Sequence, residues 1–528
     1  MKTFCRIALA LAFGILGSAL TTAGAQTPQR GGTLVFGVEA EPPNYDCHQG
    51  NTFVILDLVA PIYSLLIRFD PNDMSRFEPD LATSWETSLD GLSTTFHLRQ
   101  GVQFHDGSPF SSADVKASFD RIRLAPGGIV SQHKAAFDAV ASVDTPDANT
   151  VVFHLKQVDA GLMNNIASPW SCIYSAAKLA TDQRFPERHL LGTGPFQFVE
   201  HVPGSTFTAK RFDHYFLPDR PYLDGYRAEF VSGAGMINGL SGGRLMAAFR
   251  GISPAERDRI RAARGDQMQF QENDHWVQLF QITFNTRRKP FDDIRVRQAL
   301  SMAIDRWGSS AGIARVSFLG PVSDYAPAGS FWALPKPTLQ KYPGFGPDIA
   351  TSRKEAQHLL QEAGVPNLKY RLLNRTQLSP YSEFGVFLLD QWRRIGLNVE
   401  QDMVETGPWQ NARNHGDYDV MVEAMSEHSD DPSVLLVHFL SSDRSPINYS
   451  GSIDRTVDDL FDQQQRALDP MVRQKIVWQM HEHMLEQSVF APVFWADRII
   501  PLASNVHGWV ITASHFVGQD LRDVWLSH

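Results

Sequence analysis

The first half of the chain reads as short strands joined by tight turns. Apolar and polar positions alternate over residues 31–40, 93–99, 151–155, 207–212 and 279–285. Such alternation is typical of strands that bury one face. A helix is predicted to open at residues 111–113, with Val115, Phe119 and Ile122 on one side. We therefore predict an α/β fold whose first half holds a mixed sheet with short connections.

After residue 285 the pattern changes to a strict alternation of helix and strand. Helices are predicted at 292–306, 352–363, 383–395 and 406–416, and strands at 369–373, 397–404 and 417–425. Gly364 and Gly396 follow two of these helices, in the position where a left-handed residue ends a helix. The β-α-β-α-β order predicts a parallel sheet with right-handed crossovers.

Polar and aromatic side chains come at the ends of three successive strands of this run. Arg375 follows the first strand, Trp409 follows the second, and Glu427, His428 and Asp430 follow the third. In open parallel sheets, ligands bind outside the carboxyl ends of the strands. Each residue alone has an ordinary explanation, since Arg is commonly solvated and Trp commonly packs. Because all five reach the same edge, we predict that they line a ligand site.

Residues 320–346 are rich in Pro and Gly and are predicted to form a long ordered loop. Its aromatic residues are Tyr325, Phe331, Trp332, Tyr342 and Phe345. They either pin the loop to the body of the protein or line a ligand cleft.

The first 25 residues are predicted to be an export signal that is removed. Lys2 and Arg6 precede an apolar run over 7–19, and Ala23 and Ala25 supply the small residues of a cleavage site. This run is shorter than the roughly 18 residues that cross a membrane, which argues against an anchor. We expect a soluble, periplasmic protein cleaved after about Ala25.

Length and charge narrow the remaining classes. About 500 residues are too many for one core, so two or three domains are expected. The formal net charge of −10 disfavours nucleic acid as a partner. Cys47 and Cys172 either pair as a disulfide or stay as buried thiols. No Cys/His spacing suits zinc, and we predict no metal site and no cofactor.

Several short motifs look catalytic but lack the required context. Residues 239–243 formally match a nucleophile motif around Ser241, yet no strand leads directly into that serine, so we interpret it as a surface turn. His481 and His483 lack the spacing of a zinc-protease helix and are expected on a helix face near the surface. No nucleophile, base and oxyanion hole assemble, so an enzyme is not predicted.

Five stretches resemble the extracytoplasmic solute-binding proteins of ABC importers, in the class that handles peptides, nickel complexes, opines and some oligosaccharides (family 5 solute-binding proteins). They are GGTLVFGVEAEPPNYD at 31–46, LATSWETSLDGLSTTFHLRQGVQFHDGSPFSSADVKASFDRI at 81–122, GTGPFQFVEHVPG at 192–204, PYLDG at 221–225 and FNTRRKPFDDIRVRQALSMAIDR at 284–306. The second stretch is the most specific because it matches over about forty residues. We interpret its inward-facing residues, including Trp85 and Phe96, as scaffold.

The resemblance implies a two-lobed periplasmic-binding-protein fold of type II. Residues 26–283 with 497–528 would form the first lobe, which includes an extra subdomain, and 284–496 would form the second. The chain would cross a hinge twice, near Phe284 and near Trp495. A ligand would be enclosed when the lobes close, and a membrane permease would recognise that closed state.

The resemblance also implies roles for particular residues. Arg375 stands 21 residues before Gly396, at the distance where dipeptide-binding relatives hold the ligand carboxylate with an Arg. The same relatives hold the ligand ammonium with an Asp at the position of His428. A neutral imidazole cannot replace that charge, so Glu427 or Asp430 substitutes for it, or the ligand has no free amino terminus. Asn51 and Phe53 match ligand-contacting positions by location only.

The sequence as a whole predicts a monomeric, non-enzymatic binding protein that delivers a di- or oligopeptide to an ABC permease. An alternative keeps the transport role for a non-peptide solute, such as an opine, a metal chelate or an oligosaccharide. A more remote alternative is a secreted serine hydrolase that uses Ser241.

Overall fold

The computed structural model of the protein describes residues 27–231, 233–273, 277–376 and 378–527. The predicted export signal over residues 1–25 lies outside the described residues. The strands are β1 (Thr33–Val38), β2 (Ile67–Asp70), β3 (Asp73–Pro79), β4 (Ala82–Thr87), β5 (Ser93–Leu98), β6 (Val140–Asp147), β7 (Thr150–Leu155), β8 (Phe196–Val202), β9 (Thr206–Arg211), β10 (Gly225–Phe230), β11 (Met268–Asn273), β12 (Gln278–Phe284), β13 (Arg371–Arg375), β14 (Glu400–Val404), β15 (Val420–Ser426), β16 (Phe490–Trp495), β17 (Arg498–Ala503), β18 (Val506–His507) and β19 (Trp525–Leu526).

The helices are α1 (Phe53–Val59), α2 (Ser112–Leu124), α3 (Leu162–Ile166), α4 (Ala176–Thr181), α5 (Phe185–Arg188), α6 (Gly233–Ser241), α7 (Pro254–Arg264), α8 (Ile294–Met302), α9 (Arg306–Ile313), α10 (Lys336–Leu339), α11 (Ile349–Glu362), α12 (Glu383–Arg393), α13 (Thr406–His415), α14 (Pro432–Leu435), α15 (Arg455–Arg466) and α16 (Pro470–Gln487). Short 3-10 turns lie at Ala60–Ile62, Lys134–Phe137, Gly265–Gln267 and Leu436–Phe439, and a π-helical turn lies at Leu378–Ser382.

The first half of the chain holds two main sheets where the sequence predicted one, and one of the two is mixed. The predicted strand over 279–285 instead belongs to the sheet of the second half. The mixed sheet runs in the order β1-β10-β9-β8, with β1 parallel to β10 and the other pairs antiparallel. The second is an antiparallel sheet in the order β4-β5-β7-β6. Helix α2 covers it, so Phe119 and Ile122 share a core with Phe96, while Trp85 is only partly buried. These residues are scaffold, as their alternation indicated.

The second half forms a five-stranded sheet in the order β14-β13-β15-β12-β16. Strands β13, β14 and β15 are parallel, which confirms the prediction from their alternation with helices. Strands β12 and β16 add an antiparallel edge, so the complete sheet is mixed. Both faces are covered: Phe280 and Ile282 of β12 pack with α8, α11 and α12, whereas Leu279 packs with α15 and α16.

Two predicted elements differ in the structure. The helix expected over 292–306 is interrupted, because Asp305 caps a new helix by accepting a hydrogen bond from the backbone N–H of Gly308 at 2.8 Å. The stretch around Ser241, expected as a surface turn, is helical from Gly233 to Ser241. Its apolar residues Met236, Ile237 and Leu240 are buried in the first-half core, which offsets the low helix propensity of its glycines.

The aromatic loop over 320–346 is pinned to the body of the protein. Tyr325 and Phe345 are buried in the core beside α16, and the carbonyl of Trp332 accepts a hydrogen bond from the indole N–H of Trp478. Phe331 is exposed. The structure therefore agrees with the first interpretation, in which these aromatic residues pin the loop to the body of the protein.

Cys47 and Cys172 are paired as a disulfide. Both residues are buried in the first-half core, and the bond closes a loop across 125 positions of sequence. The sequence had left this pairing open.

Candidate functional site

Two adjoining cavities lie between the first-half elements and the edge of the five-stranded sheet. The first has about 740 Å³ of space between protein atoms, part of it open to solvent, and is lined by Glu39, Asp57, Arg250, Arg375, Tyr381 and His515, among others. The second has about 760 Å³, also partly open to solvent, and is lined by His133, Arg413, Glu423, Glu427, His428 and His438, among others. Asn51, Ala424 and Ser426 line both, so the cavities meet there.

The parallel strands explain why these side chains meet. Strand β13 ends at Arg375, β14 ends at Val404 just before the helix that carries Trp409, and β15 ends at Ser426 just before Glu427. The carboxyl ends of parallel strands share one edge of the sheet, where loops leave a crevice. The edge predicted from the sequence is therefore one wall of both cavities.

Arg375 is the most unusual residue of the first cavity. Its guanidinium donates hydrogen bonds to the hydroxyl of Tyr381 at 3.1 Å and to Oγ1 of Thr406 at 2.8 Å, while its Nε has no hydrogen-bond partner among the described residues. Its side chain forms no ion pair with a carboxylate of the described residues. Burial lowers the pKa of Arg375, and the nearby Arg250 guanidinium lowers it further. A buried, unpaired guanidinium is costly unless an anion joins it.

Trp409 backs this guanidinium. It is buried, and the Cζ atom of Arg375 lies 5.2 Å from the centre of its ring. Trp409 is not among the residues that line either cavity. The structure thus brings Trp409 to the predicted edge as the support for Arg375.

Asn51 and Phe53 lie on the opposite side, next to the start of α1. The side-chain amide of Asn51 donates to the Tyr449 hydroxyl at 2.9 Å, across the junction of the two cavities. Phe53 lines the first cavity and packs edge-on against His515, with ring centres 4.4 Å apart. The structure therefore brings both residues together with Arg375.

Glu427 and His428 line the second cavity. Nε2 of His438 donates to Oε1 of Glu427 at 2.5 Å. His428 contacts the carbonyl of Asn164 through Nε2 at 3.2 Å. Burial, reinforced by His133, lowers the pKa of His428 to about 3, so its ring is neutral at pH 7.

Asp430 is separated from the other candidates. It is exposed and lines a different, open pocket with residues 327–330 and 511–513. The chain turns away after residue 428, and this turn is not visible in a periodic pattern.

Several cavity residues escaped the sequence analysis. Arg250 forms an ion pair with Glu39 at 3.7 Å, and burial raises the pKa of Glu39. Asp57 interrupts the apolar run of α1, and burial raises its pKa well above the usual value. An isolated acid in an apolar helix is a pattern that could have identified Asp57 as a cavity residue from the sequence. No such pattern marks Arg250 or Arg413, since the residues around them in the cavities are distant in sequence.

The short motifs that we interpreted as non-catalytic place their serine and histidine residues in helices. Ser241 is the last residue of α6, whereas a nucleophile elbow needs the serine between a strand and the start of a helix. His481 was expected near the surface but is fully buried, with Nδ1 3.2 Å from a carboxylate oxygen of Asp324. His483 is partly exposed and contacts Asp454.

The family model for bacterial extracellular solute-binding proteins, family 5, matches residues 76–446. This chain belongs to that family. The resemblance found in its sequence motifs is confirmed. The chain is 26% identical to Di/tripeptide-binding protein 1 of Pseudomonas aeruginosa, over 94% of this chain and 95% of that protein. It is 24% identical to the Dipeptide-binding protein of Escherichia coli K12, over 91% and 92% of the two chains.

Solved structures agree with the fold. The periplasmic binding protein AgaA of A. tumefaciens R10, in complex with agropinic acid, superposes with a TM-score of 0.83 at 25% identity, covering 94% of this chain and 99% of AgaA. A dipeptide-binding protein of Pseudoalteromonas gives the same TM-score at 21% identity, covering 94% and 100%. The family member described here thus has the two-lobed periplasmic-binding-protein fold.

Within the described ranges, no helix is long and apolar enough to cross a membrane. Nor do the described residues place three or more His, Cys, Asp or Glu side chains where they could hold a metal ion.

Proposed function

We propose that this chain is the periplasmic substrate-binding component of an ABC importer, and that it captures a di- or oligopeptide in the two adjoining cavities. It acts as a monomer without catalysis and delivers its ligand to a membrane permease. One observation supports the proposal most directly: Arg375 is a buried guanidinium that lacks a carboxylate partner among the described residues.

Arg375 binds the carboxylate end of the peptide. A carboxylate forms a bidentate, charge-assisted pair with a guanidinium, and this would satisfy the unpartnered Nε. Tyr381 and Thr406 hold the other guanidinium nitrogens in place before the ligand arrives. Several relatives are named for di- and tripeptides, which supports this ligand class.

Glu427 binds the amino end of the peptide in the second cavity. The neutral ring of His428 cannot pair with an ammonium group. Glu427 adjoins it in sequence, lines the same cavity and carries a carboxylate whose Oε2 has only a 3.9 Å contact with His428. Asn51 and Phe53 contact the middle of the ligand from the opposite wall.

The lobes we propose are residues 26–283 with 497–528, including an extra subdomain, and residues 284–496. Strand pairings support a hinge crossed twice, because β11 pairs with β17 while β12 and β16 pair with each other. The change of sheet falls between Asn273 and Gln278 and between Trp495 and Arg498. The first crossing therefore lies before β12, so residues 278–283, which the predicted boundary assigns to the first lobe, pair with the sheet of the second lobe.

A non-peptide solute is the second candidate. The absence of an Asp at position 428 and the likeness to a protein in complex with agropinic acid favour an opine over a peptide with a free amino terminus. A metal chelate or an oligosaccharide would be transported by the same route.

Calorimetry with a panel of dipeptides tests the proposal. We expect the wild type to bind members of the panel and Arg375→Gln to weaken that binding by about 2–4 kcal/mol, or roughly 30–1,000-fold, because a buried ligand carboxylate loses its partner. Arg371→Gln is the matched control, since Arg371 lies on the same strand but is exposed. Equal affinities in the two variants would remove Arg375 from the site. If no dipeptide binds, mass spectrometry of the solute released from the purified protein decides between the two candidates.

A further inference from the structure

A second buried guanidinium, that of Arg413, lies in the second cavity. It belongs to α13, and the residue is 7% exposed. Its Cζ atom lies 4.7 Å from the ring centre of Trp409 and 4.0 Å from that of Tyr449. An Arg that only packs its stem on aromatic rings extends its head into water. Here the head is enclosed at the wall of a cavity.

No carboxylate in the described part of the chain forms an ion pair with this guanidinium. Its recorded hydrogen bonds go to neutral side chains, from Nε to Oδ1 of Asn414 at 3.2 Å and from Nη2 to Oδ1 of Asn51 at 3.4 Å. Among the described residues, no carboxylate oxygen lies within 4.0 Å of its nitrogens. Stacking on two rings stabilises a cation but offsets only part of the cost of its burial.

The acids that share the cavity are engaged elsewhere. Glu423 accepts a hydrogen bond from the hydroxyl of Thr283 at 2.6 Å and one from the amide of Gln281 at 3.4 Å. Glu427 accepts from His438 at 2.5 Å. One oxygen of each carboxylate is held by these neighbours, and neither carboxylate forms an ion pair with Arg413, so its guanidinium has no anionic partner among the described residues.

Arg375 and Arg413 flank the same indole ring. Their Cζ atoms lie 5.2 Å and 4.7 Å from the centre of Trp409, so they are no farther apart than about 10 Å, the sum of these distances. Two cations this close repel each other in a poorly hydrated site. One opens into each cavity, and the cavities meet at Asn51, so a single solute can reach both.

We propose that the solute carries two anionic groups, one bound by Arg375 and the other by Arg413. This inference rests on the proposed function and specifies its ligand class, namely acidic peptides and related dicarboxylates. Neighbouring residues of an extended peptide are spaced by about 3.4 Å. A terminal carboxylate and an acidic side chain on the same or the next residue therefore span the distance between the two guanidinium groups.

Binding of two dipeptides to a set of variants tests whether Arg413 binds the second anionic group of the ligand. Calorimetry compares Ala-Glu with its neutral isostere Ala-Gln on the full-length wild type, Arg413→Gln and the exposed control Arg371→Gln. We expect the wild type and the control to bind Ala-Glu at least 10-fold more tightly than Ala-Gln, and Arg413→Gln to lose this preference. Arg413→Lys keeps the charge and should keep part of the preference, even if Arg413→Gln is poorly folded.

The outcomes separate this inference from the function beneath it. Equal affinity of the wild type for the two dipeptides, or a preference that survives in Arg413→Gln, overturns the second anion site while peptide binding stands. Arg375→Gln should weaken both dipeptides by a similar factor, because both carry the terminal carboxylate. Failure of every dipeptide to bind would overturn the peptide function and this inference together.

Discussion

The imidazole of His428 stands where the family resemblance implies a carboxylate. Its pKa is lowered to about 3 by burial, and the ring is therefore uncharged throughout the physiological range. A peptide ammonium needs an anion in a site this enclosed. Glu427, one residue earlier, has that charge and lines the same cavity. In the proposed function the amino-end anchor is therefore Glu427, one position before His428, and local patterning did not choose between Glu427 and Asp430.

Glu427→Gln is expected to weaken the binding of a dipeptide with a free amino terminus by roughly 10–100-fold, because the ammonium is left without an anionic partner. Calorimetry with Ala-Ala measures the loss. N-acetyl-Ala-Ala has no ammonium, so its affinity should be the same in the variant and the wild type. A similar loss for both ligands would show that Glu427 acts on the cavity rather than on the amino group.

Adding His428→Asp to Glu427→Gln returns a carboxylate to the cavity at the neighbouring position. We expect this double variant to recover part of the affinity for Ala-Ala. No recovery, in a protein that still unfolds cooperatively, would argue that position 428 points away from the ligand amine.

At the level of elements, short polar side chains decide where helices begin. Asp305 accepts a hydrogen bond from the backbone N–H of Gly308 at 2.8 Å, and α9 begins there, with three residues between it and the end of α8. The apolar periodicity over 292–306 continues through this break, so the pattern alone predicted one helix. A cap outweighs continuing periodicity here because it satisfies a backbone donor that is otherwise unpaired.

Asp305→Ala should lower the free energy of unfolding by about 1 kcal/mol through loss of this cap. Urea denaturation followed by circular dichroism measures the change. Asp305→Asn is the matched control, because Asn caps helices about as well as Asp. Equal destabilisation by both substitutions would show that the negative charge matters more than the cap. Ligand affinity should not change, since α9 lines neither cavity.

Periodic signals predicted fewer than half of the strands and helices, but these include the parallel strands β13, β14 and β15 and the helices that connect them. Through these elements the sequence predicted one wall of the site. Arg375 was found because strand ends in a parallel sheet share an edge, and that rule needs only local sequence. Arg413 and Arg250 were not predicted as site residues. What marks Arg413 is the lack of a carboxylate partner among the described residues, and what marks Arg250 is an ion pair with Glu39, which is distant in sequence. Asp430 shows the opposite case. It lies in the loop beyond the end of β15, and that loop turns away from the edge that the strand ends share.

At the scale of the whole molecule, a disulfide links segments of the first half, and other contacts cross between the two proposed lobes. The Cys47–Cys172 disulfide ties distant segments of the first-half core together. Opposite it, the backbone N–H of Ala160 donates to the carbonyl of Gln465 at 2.9 Å, and Arg466 donates to Oε1 of Gln157 at 3.1 Å. These contacts lie outside both cavities and join the two proposed lobes without a ligand.

The Arg466 contact is exposed, and a pair of this kind contributes about 0–1 kcal/mol to the proposed closed form. The ligand must supply the rest through its better contacts in the closed state. We therefore expect the radius of gyration, measured by small-angle scattering, to fall when a saturating dipeptide is added. Arg466→Ala should reduce the closed fraction and thereby lower apparent affinity by up to about 5-fold. Arg455→Ala, on the same helix but paired only within the second lobe, should have no such effect. A radius that is unchanged by ligand in all three proteins would contradict closure and would leave the cavities as fixed features of a single body.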